Sequence, residues 1–211
     1  MTWNGDSLFP LGAAYQRGQE LAQEIGEHMV GRIAGYPQDH GALAQAVYLA
    51  GHGDHLEIGT LFGGSAILAA RIKQDYNLAG KVVCVDPMQG YYGKPDPFTG
   101  LLPSEELFWE NAGKFGVTER MELVVARSKP WPLAAERRFA SALIDGDHSP
   151  DGVRHDWQRA NAQTSRYVVF DNYDKSFPGV RRTVRMAGQE EAWRCVLVYG
   201  ISAVFERVQA C

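Results

Sequence analysis

The stretch HLEIGTLFGGSAILAARI, His55 to Ile72, decides the fold: a short apolar run carrying one acid, a turn through glycines, then apolar residues at helical spacing. A strand that turns through glycines into a helix is the opening half of a βαβ unit. Ligands of such sheets bind outside the carboxyl ends of the strands, near the point where strand order reverses. Gly59, Gly63 and Gly64 permit the tight turn and a close approach of backbone to ligand. A helix beginning near Gly64 and Ser65 aims its free N–H groups at the same place.

Two nucleotide motifs are excluded. A G-x-G-x-x-G fingerprint needs glycine where Leu61 stands, and a P-loop needs G-K-[ST] where the chain has Gly64-Ser65 without lysine. Glu57 would repel a phosphate but attract an ammonium group. The next apolar run, KVVCVDP, ends in Asp86, 29 residues after Glu57. That is the place for an acid accepting hydrogen bonds from both hydroxyls of a ribose. Glycine turn and acid each also fit a plain structural turn; their coincidence points to a nucleoside that bears an ammonium.

Outward from this stretch, short apolar runs alternate with helical ones, the pattern of a mostly parallel sheet. Strands are predicted over 55–58, 81–86, 121–126, 140–145, 167–171, 193–199 and 202–208, and helices over 64–76, 104–115, 132–137, 150–162 and 178–187. The last two strands meet at Gly200, too close for a parallel crossover, so they must form an antiparallel hairpin. Before the first strand, apolar residues spaced by four (Leu21, Ile25, Met29, Ile33) predict a helix over 13–34. Pro37 and Gly41 break it, and ALAQAVYLA resumes helical spacing. The insert 88–103, rich in Gly, Pro and aromatics, lies over the carboxyl edge and is a candidate lid.

The pattern E-x-G-x-x-x-G-x-S followed by a strand ending in Asp resembles the class I S-adenosylmethionine (SAM) dependent methyltransferases. More narrowly it is similar to the metal-dependent O-methyltransferases of the catechol and caffeoyl-CoA type and to the methyltransferase 24 family. The resemblance covers residues 54 to about 175. It implies a Rossmann-like α/β fold with a seven-stranded sheet in the order 3-2-1-4-5-7-6, helices on both faces and an antiparallel last strand. The whole chain, 1–211, would be one domain, with 1–52 as an N-terminal helical extension. It implies that Glu57 and the turn at Gly59 contact the amino-acid part of SAM with Ser65 nearby, that Asp86 holds the ribose, and that Thr60, Gly63, Pro87 and Asp145 are further cofactor-binding residues. The polar pair such proteins often carry after the third strand is here only Ala126, Arg127 and Ser128; Ser128 is retained as a cofactor contact.

The fourth and fifth strands end in LIDGDHSPDGV and VVFDNYDKSFPG. In the implied sheet order they are neighbours, so Asp145, Asp147, His148, Asp171 and Asn172 converge. Oxygen donors clustered in this way suit a hard cation such as Mg²⁺, and the resemblance implies Asp145, Asp171 and Asn172 as the metal ligands. A bound cation would lower the pKa of an acceptor hydroxyl, and a base must take the remaining proton. His148, an imidazole and so the commonest type of general base, is the first candidate and Asp147 the second. Singly, each residue also reads as a turn acid, a helix cap or a surface histidine. Tyr91, Tyr92, Phe98, Trp109, Tyr173 and Phe177 are candidate walls for the acceptor. His28, His40, His52, His55 and His155 are assigned to structure or surface.

Composition narrows the function class. With 45% hydrophobic and 22% charged residues the chain reads as an ordinary globular protein. A net charge of −4 supplies no general field for nucleic acid. No apolar run reaches the roughly 18 to 20 residues of a membrane span, and the start lacks the pattern of a signal peptide. Cys84, Cys195 and Cys211 form neither a metal motif nor a disulfide framework, so a cytoplasmic setting is expected. A small hydroxylated acceptor is the expected partner, and the two N-terminal helices are placed to pack against a second subunit. Two competing readings stay open: a methyltransferase without metal, and a SAM-binding or nucleoside-binding module without catalysis.

Overall fold

The structure, a computed structural model, describes residues 9–90 and 92–208. Seven strands form one sheet: β1 (His55–Ile58), β2 (Val82–Asp86), β3 (Met121–Val125), β4 (Phe139–Ile144), β5 (Thr164–Phe170), β6 (Trp193–Tyr199) and β7 (Ser202–Arg207). Their order is β3-β2-β1-β4-β5-β7-β6, parallel as far as β5, with β7 antiparallel to both neighbours. The helices are α1 (Ala13–His28), α2 (Pro37–Ala50), α3 (Gly64–Asp75), α4 (Glu105–Lys114), α5 (Pro150–Gln163) and α6 (Pro178–Ala187).

Alternation along the strands divides the core in two. Val82 and Cys84 of β2 join Leu21, Ile25, Leu43, Ile67 and Phe108 from α1 to α4. Val83 and Val85 join Val153, Trp157, Val180 and Val184 from α5 and α6. Both faces of the sheet are covered, so its central strands β1, β2 and β4 are buried along nearly their whole length rather than alternating. α1 and α2 pack closely because glycines lie at their crossing. A Cβ on Gly41 would come within 2.7 to 2.9 Å of the Tyr15 ring, and one on Gly18 would collide with Ala44.

Three elements differ from the sequence reading. α1 stops at His28, not at 34. Gly31 takes φ +93°, where a side chain would meet the Phe62 ring, and the buried Asn111 amide holds both the N–H and the carbonyl of Val30 (2.8 and 2.9 Å). Pro37 starts α2 instead of breaking a helix: it occupies the first turn, where its missing N–H costs nothing, and Gly41 lies inside. No helix forms over 132–137. The carbonyls of Ala134 and Arg137 accept hydrogen bonds from the Gln163 amide, and Arg137 extends to Glu122 and Asp54, so this segment is spent on tertiary contacts.

Register then sets the site. Ile58 pairs with Val85 on one side and Ile144 on the other, and Ile144 pairs with Phe170. The next residues in each chain, Gly59, Asp86, Asp145 and Asp171, therefore leave the sheet side by side at its carboxyl edge.

Candidate functional site

A cavity of about 1060 Å³ opens over this edge, in the upper range of small-molecule sites. Gly59, Thr60, Ser65, Asp86, Pro87, Ser128, Asp145, Asp147, His148, Asp171 and Asn172 all line it. Glu57 and Gly63, expected with them, lie outside the lining. Gly63 is the left-handed residue that starts α3, against Phe108.

The glycine turn is built from the strand edge. Gly59 has φ +83°, and a Cβ there would collide with the Asp145 carbonyl of the neighbouring strand, so only glycine fits. Asp86 braces the turn. Its Oδ2 accepts from the amides of Thr60 (2.8 Å) and Leu61 (3.3 Å), and Oδ1 from that of Met88 (2.7 Å). Each carboxylate oxygen has two lone pairs, so capacity for further donors remains. Glu57 lies fully buried behind Ser65, whose hydroxyl donates to Oε1 at 2.9 Å, while Oε2 has no partner. Burial pushes the Glu57 carboxyl up to about 8, against the hydrogen bond from Ser65. The unpaired Oε2 can take part in a further hydrogen bond, and a cation brought beside Glu57 would favour its ionised form.

Beside the turn the acids of β4 and β5 meet. His148 Nε2 lies 3.1 Å from Asp145 Oδ1. One end of the Asn172 amide lies 3.1 Å from Asp145 Oδ1 and 3.2 Å from both Asp171 Oδ2 and His148 Nε2. With its NH₂ inward, the amide donates to these acceptors. With its oxygen inward, oxygens converge at spacings close to the roughly 3 Å between neighbouring ligands of an octahedral ion with bonds of about 2.1 Å. Burial, and then the Asp145 carboxylate, push the Asp171 carboxyl well above its ordinary range, a charge conflict that a cation would relieve. Among the described residues no three His, Cys, Asp or Glu side chains converge by themselves on a metal-sized point. The Asn172 amide reaches Asp171, Asp145 and His148 together. Asp147 faces the cavity and accepts from the amide and hydroxyl of Ser149, both at 2.9 Å.

Segments 32–43 and 88–103 close the cavity from above. Arg32 holds Asp96 through three hydrogen bonds of 2.8 to 3.1 Å and stacks over Phe98 at 4.6 Å. Tyr92 accepts from the amide of His148 at 3.2 Å. Opposite, Asp39 accepts from the amides of Tyr36 and Ile201, tying α2 to the β6–β7 hairpin. Of the expected aromatic walls, Tyr92, Phe98 and Phe177 line the cavity. Trp109 and Tyr173 pack against the two cores instead, and Tyr91 is outside the described residues.

Sequence reasoning missed Arg32, His40 and His155, which also line the cavity. Burial lowers the pKa of His40, whose Nε2 lies 2.7 Å from the Ala34 carbonyl. His155 Nε2 lies 2.9 Å from the Ser128 carbonyl. Only the helical phase of α5, which puts His155 on the same face as the cavity-lining Asp151 one turn earlier, could have found it.

A family model described as a methyltransferase domain matches residues 56–173. No curated protein matches the chain. Among solved structures, the O-methyltransferase TomG from Streptomyces achromogenes, in complex with SAM, is similar at 19% identity and TM-score 0.61, covering 96% of this chain and 92% of that one. The O-methyltransferase from Bacillus cereus, in complex with SAH, is similar at 17% identity and TM-score 0.61, with 96% and 93% covered. At these identities the likeness is one of fold.

Proposed function

The chain belongs to the methyltransferase-domain family, with the fold of the SAM-dependent O-methyltransferases, and we propose that it methylates a hydroxyl group of a small molecule with the help of a divalent cation. The observation that carries this reading is the convergence, on one cavity, of the Gly59–Asp86 turn with Asp145, Asp171 and Asn172.

Bound SAM supplies an electrophilic methyl group on a positively charged sulfur. In this reading Glu57 serves the amino-acid end from behind Ser65, whose hydroxyl it holds. Asp86 accepts from the ribose hydroxyls, Pro87 packs beneath them, Thr60 borders the turn, and Ser128 borders the base. Gly63 contributes only through the turn. Asp145, Asp171 and Asn172 would hold the cation, probe of choice Mg²⁺, whose chemistry is to stabilise an alkoxide and so lower the pKa of a hydroxyl. The chain orients the acceptor between Phe177, Phe98 and Tyr92 and excludes water beneath the 88–103 segment, which strengthens electrostatics within. Two groups of the Asp145–His148 loop line the cavity as candidates for taking the hydroxyl proton, His148 and Asp147.

The net charge of −4 supports a small acceptor over nucleic acid. Among the described residues no helix is long and apolar enough to cross a membrane. The free thiols Cys84 and Cys195 support a reducing, cytoplasmic setting, while Cys211 is outside the described residues. Pairing of subunits through α1 and α2 belongs to the same proposal.

The test is transfer of a labelled methyl group from SAM to a panel of catechols, hydroxylated aromatics and sugars, with Mg²⁺ or with EDTA. Transfer that EDTA abolishes and Mg²⁺ restores is expected. Transfer indifferent to EDTA would remove the cation, and SAM binding without transfer to any hydroxyl would favour a binding module.

A further inference from the structure

We propose that His148 is a hydrogen-bond donor that holds Asp145 in position for the cation, a positioning residue and not the base. The inference rests on the cation reading above and concerns the two nitrogens of one ring.

Nε2 faces Asp145 Oδ1 at 3.1 Å. Nδ1 is buried and has no partner. The His148 side chain is only 9% exposed, with the Phe177 ring edge-on at 4.7 Å. A neutral imidazole carries one proton, and its place follows from what each nitrogen meets. A proton on Nδ1 would be a buried N–H without an acceptor, and the Nε2 lone pair would then point at a carboxylate. Both arrangements are unfavourable. A proton on Nε2 is donated to Asp145, and the only loss is an idle lone pair on Nδ1.

The second arrangement leaves the basic lone pair on the nitrogen that no acceptor hydroxyl can reach. It also serves Asn172. An amide oxygen turned inward lies 3.2 Å from the same Nε2, so a single N–H orients two of the three groups assigned to the cation. The ring packs against Phe177, and the backbone that carries it is held by the hydrogen bond from the His148 amide to Tyr92. Donors of this kind keep ligating carboxylates aimed, and their loss typically weakens metal affinity 10- to 100-fold. Proton removal then falls to Asp147, whose carboxylate faces the cavity with lone pairs beyond those Ser149 uses.

Mn²⁺ affinity, measured by calorimetry or by loss of the free-ion EPR signal, tests this without reference to turnover. The proteins compared are the wild type, His148→Ala and His148→Gln, each confirmed as folded by circular dichroism. Glutamine can place an N–H near the position of Nε2. His148→Ala is expected to bind Mn²⁺ about 10- to 100-fold more weakly, and His148→Gln to stay within about threefold of wild type. If both variants bind Mn²⁺ as the wild type does while methyl transfer collapses in both, His148 is the base and the proposal is overturned. Equal loss of affinity in both also overturns it, since a restored donor would have failed to rescue. A wild type that binds no Mn²⁺ removes the cation reading itself, and this inference with it.

Discussion

Arg32 and Asp96, 64 residues apart, form a three-bonded ion pair in which the Asp96 side chain is wholly buried and Arg32 is 26% exposed. The pair, helped by Thr99, straps the 88–103 segment to the linker between α1 and α2, directly over the cavity. Breaking an exposed pair costs about 0 to 1 kcal/mol and breaking a buried one about 3 to 5 kcal/mol. Arg32→Met should fall between, at about 2 kcal/mol, and should raise the KM of the acceptor. Hydrogen exchange is the check: faster exchange confined to 29–36 and 88–103 is expected, and unchanged protection there would show that the strap does not order the roof.

Gly59→Ala sets two penalties at one position, a strained φ of +83° and a collision with the Asp145 carbonyl. Left-handed strain alone costs about 1 to 3 kcal/mol. Thermal melting should fall accordingly, and SAM affinity should fall with it because the turn and Asp145 move together. A variant that melts as the wild type does and binds SAM equally well would contradict the role given to this turn.

Glu57 ties stability to pH. Its carboxyl titrates at about 8 in the folded chain against 4.5 for an unburied glutamate, because burial disfavours the charge. The folded state therefore binds the proton more tightly. The stabilisation is complete below the unfolded pKa and is lost as pH rises through the folded one. Asp156, fully buried with both oxygens unpaired and raised by burial to about 7, acts in the same direction. Glu57→Gln cannot ionise, so its melting temperature should gain on the wild type steadily from about pH 5 to about pH 9. A constant difference over that interval would mean that Glu57 is ionised throughout.

If Asp147 takes the hydroxyl proton, as proposed, Asp147→Asn removes the base. A positioned base contributes roughly 10²- to 10⁴-fold, so kcat should fall within that interval while SAM affinity, read by calorimetry, holds. Full activity in Asp147→Asn would return the proton to another acceptor.

The sheet was legible because strands buried on both faces are written as mainly apolar runs, and because an acid or glycine marks the end of the four central ones: Gly59, Asp86, Asp145, Asp171. Order and hairpin direction followed from the resemblance and from the tight link at Gly200. What failed was local pattern overridden by distant partners. Ile33 keeps the helical spacing of α1, yet Asn111, far along the chain, captures Val30 and ends the helix. Residues 132–137 have helix-forming composition, yet Gln163 takes their carbonyls. Arg32 carries no motif, and its role depends on Asp96 arriving from another loop. Glu57 was expected to touch the ligand directly; its place on a strand buried on both sides puts it one layer behind, with Ser65 in front.

Whether the Gly59–Asp86 turn is a SAM site is decided by calorimetric titration of the purified chain with SAM, and with NAD and ATP in parallel. Saturable binding of SAM alone is expected, weakened at least about tenfold in Asp86→Ala because the ribose hydroxyls lose their acceptor. Binding of a phosphate-bearing nucleotide in preference to SAM, or SAM affinity indifferent to Asp86, would contradict it.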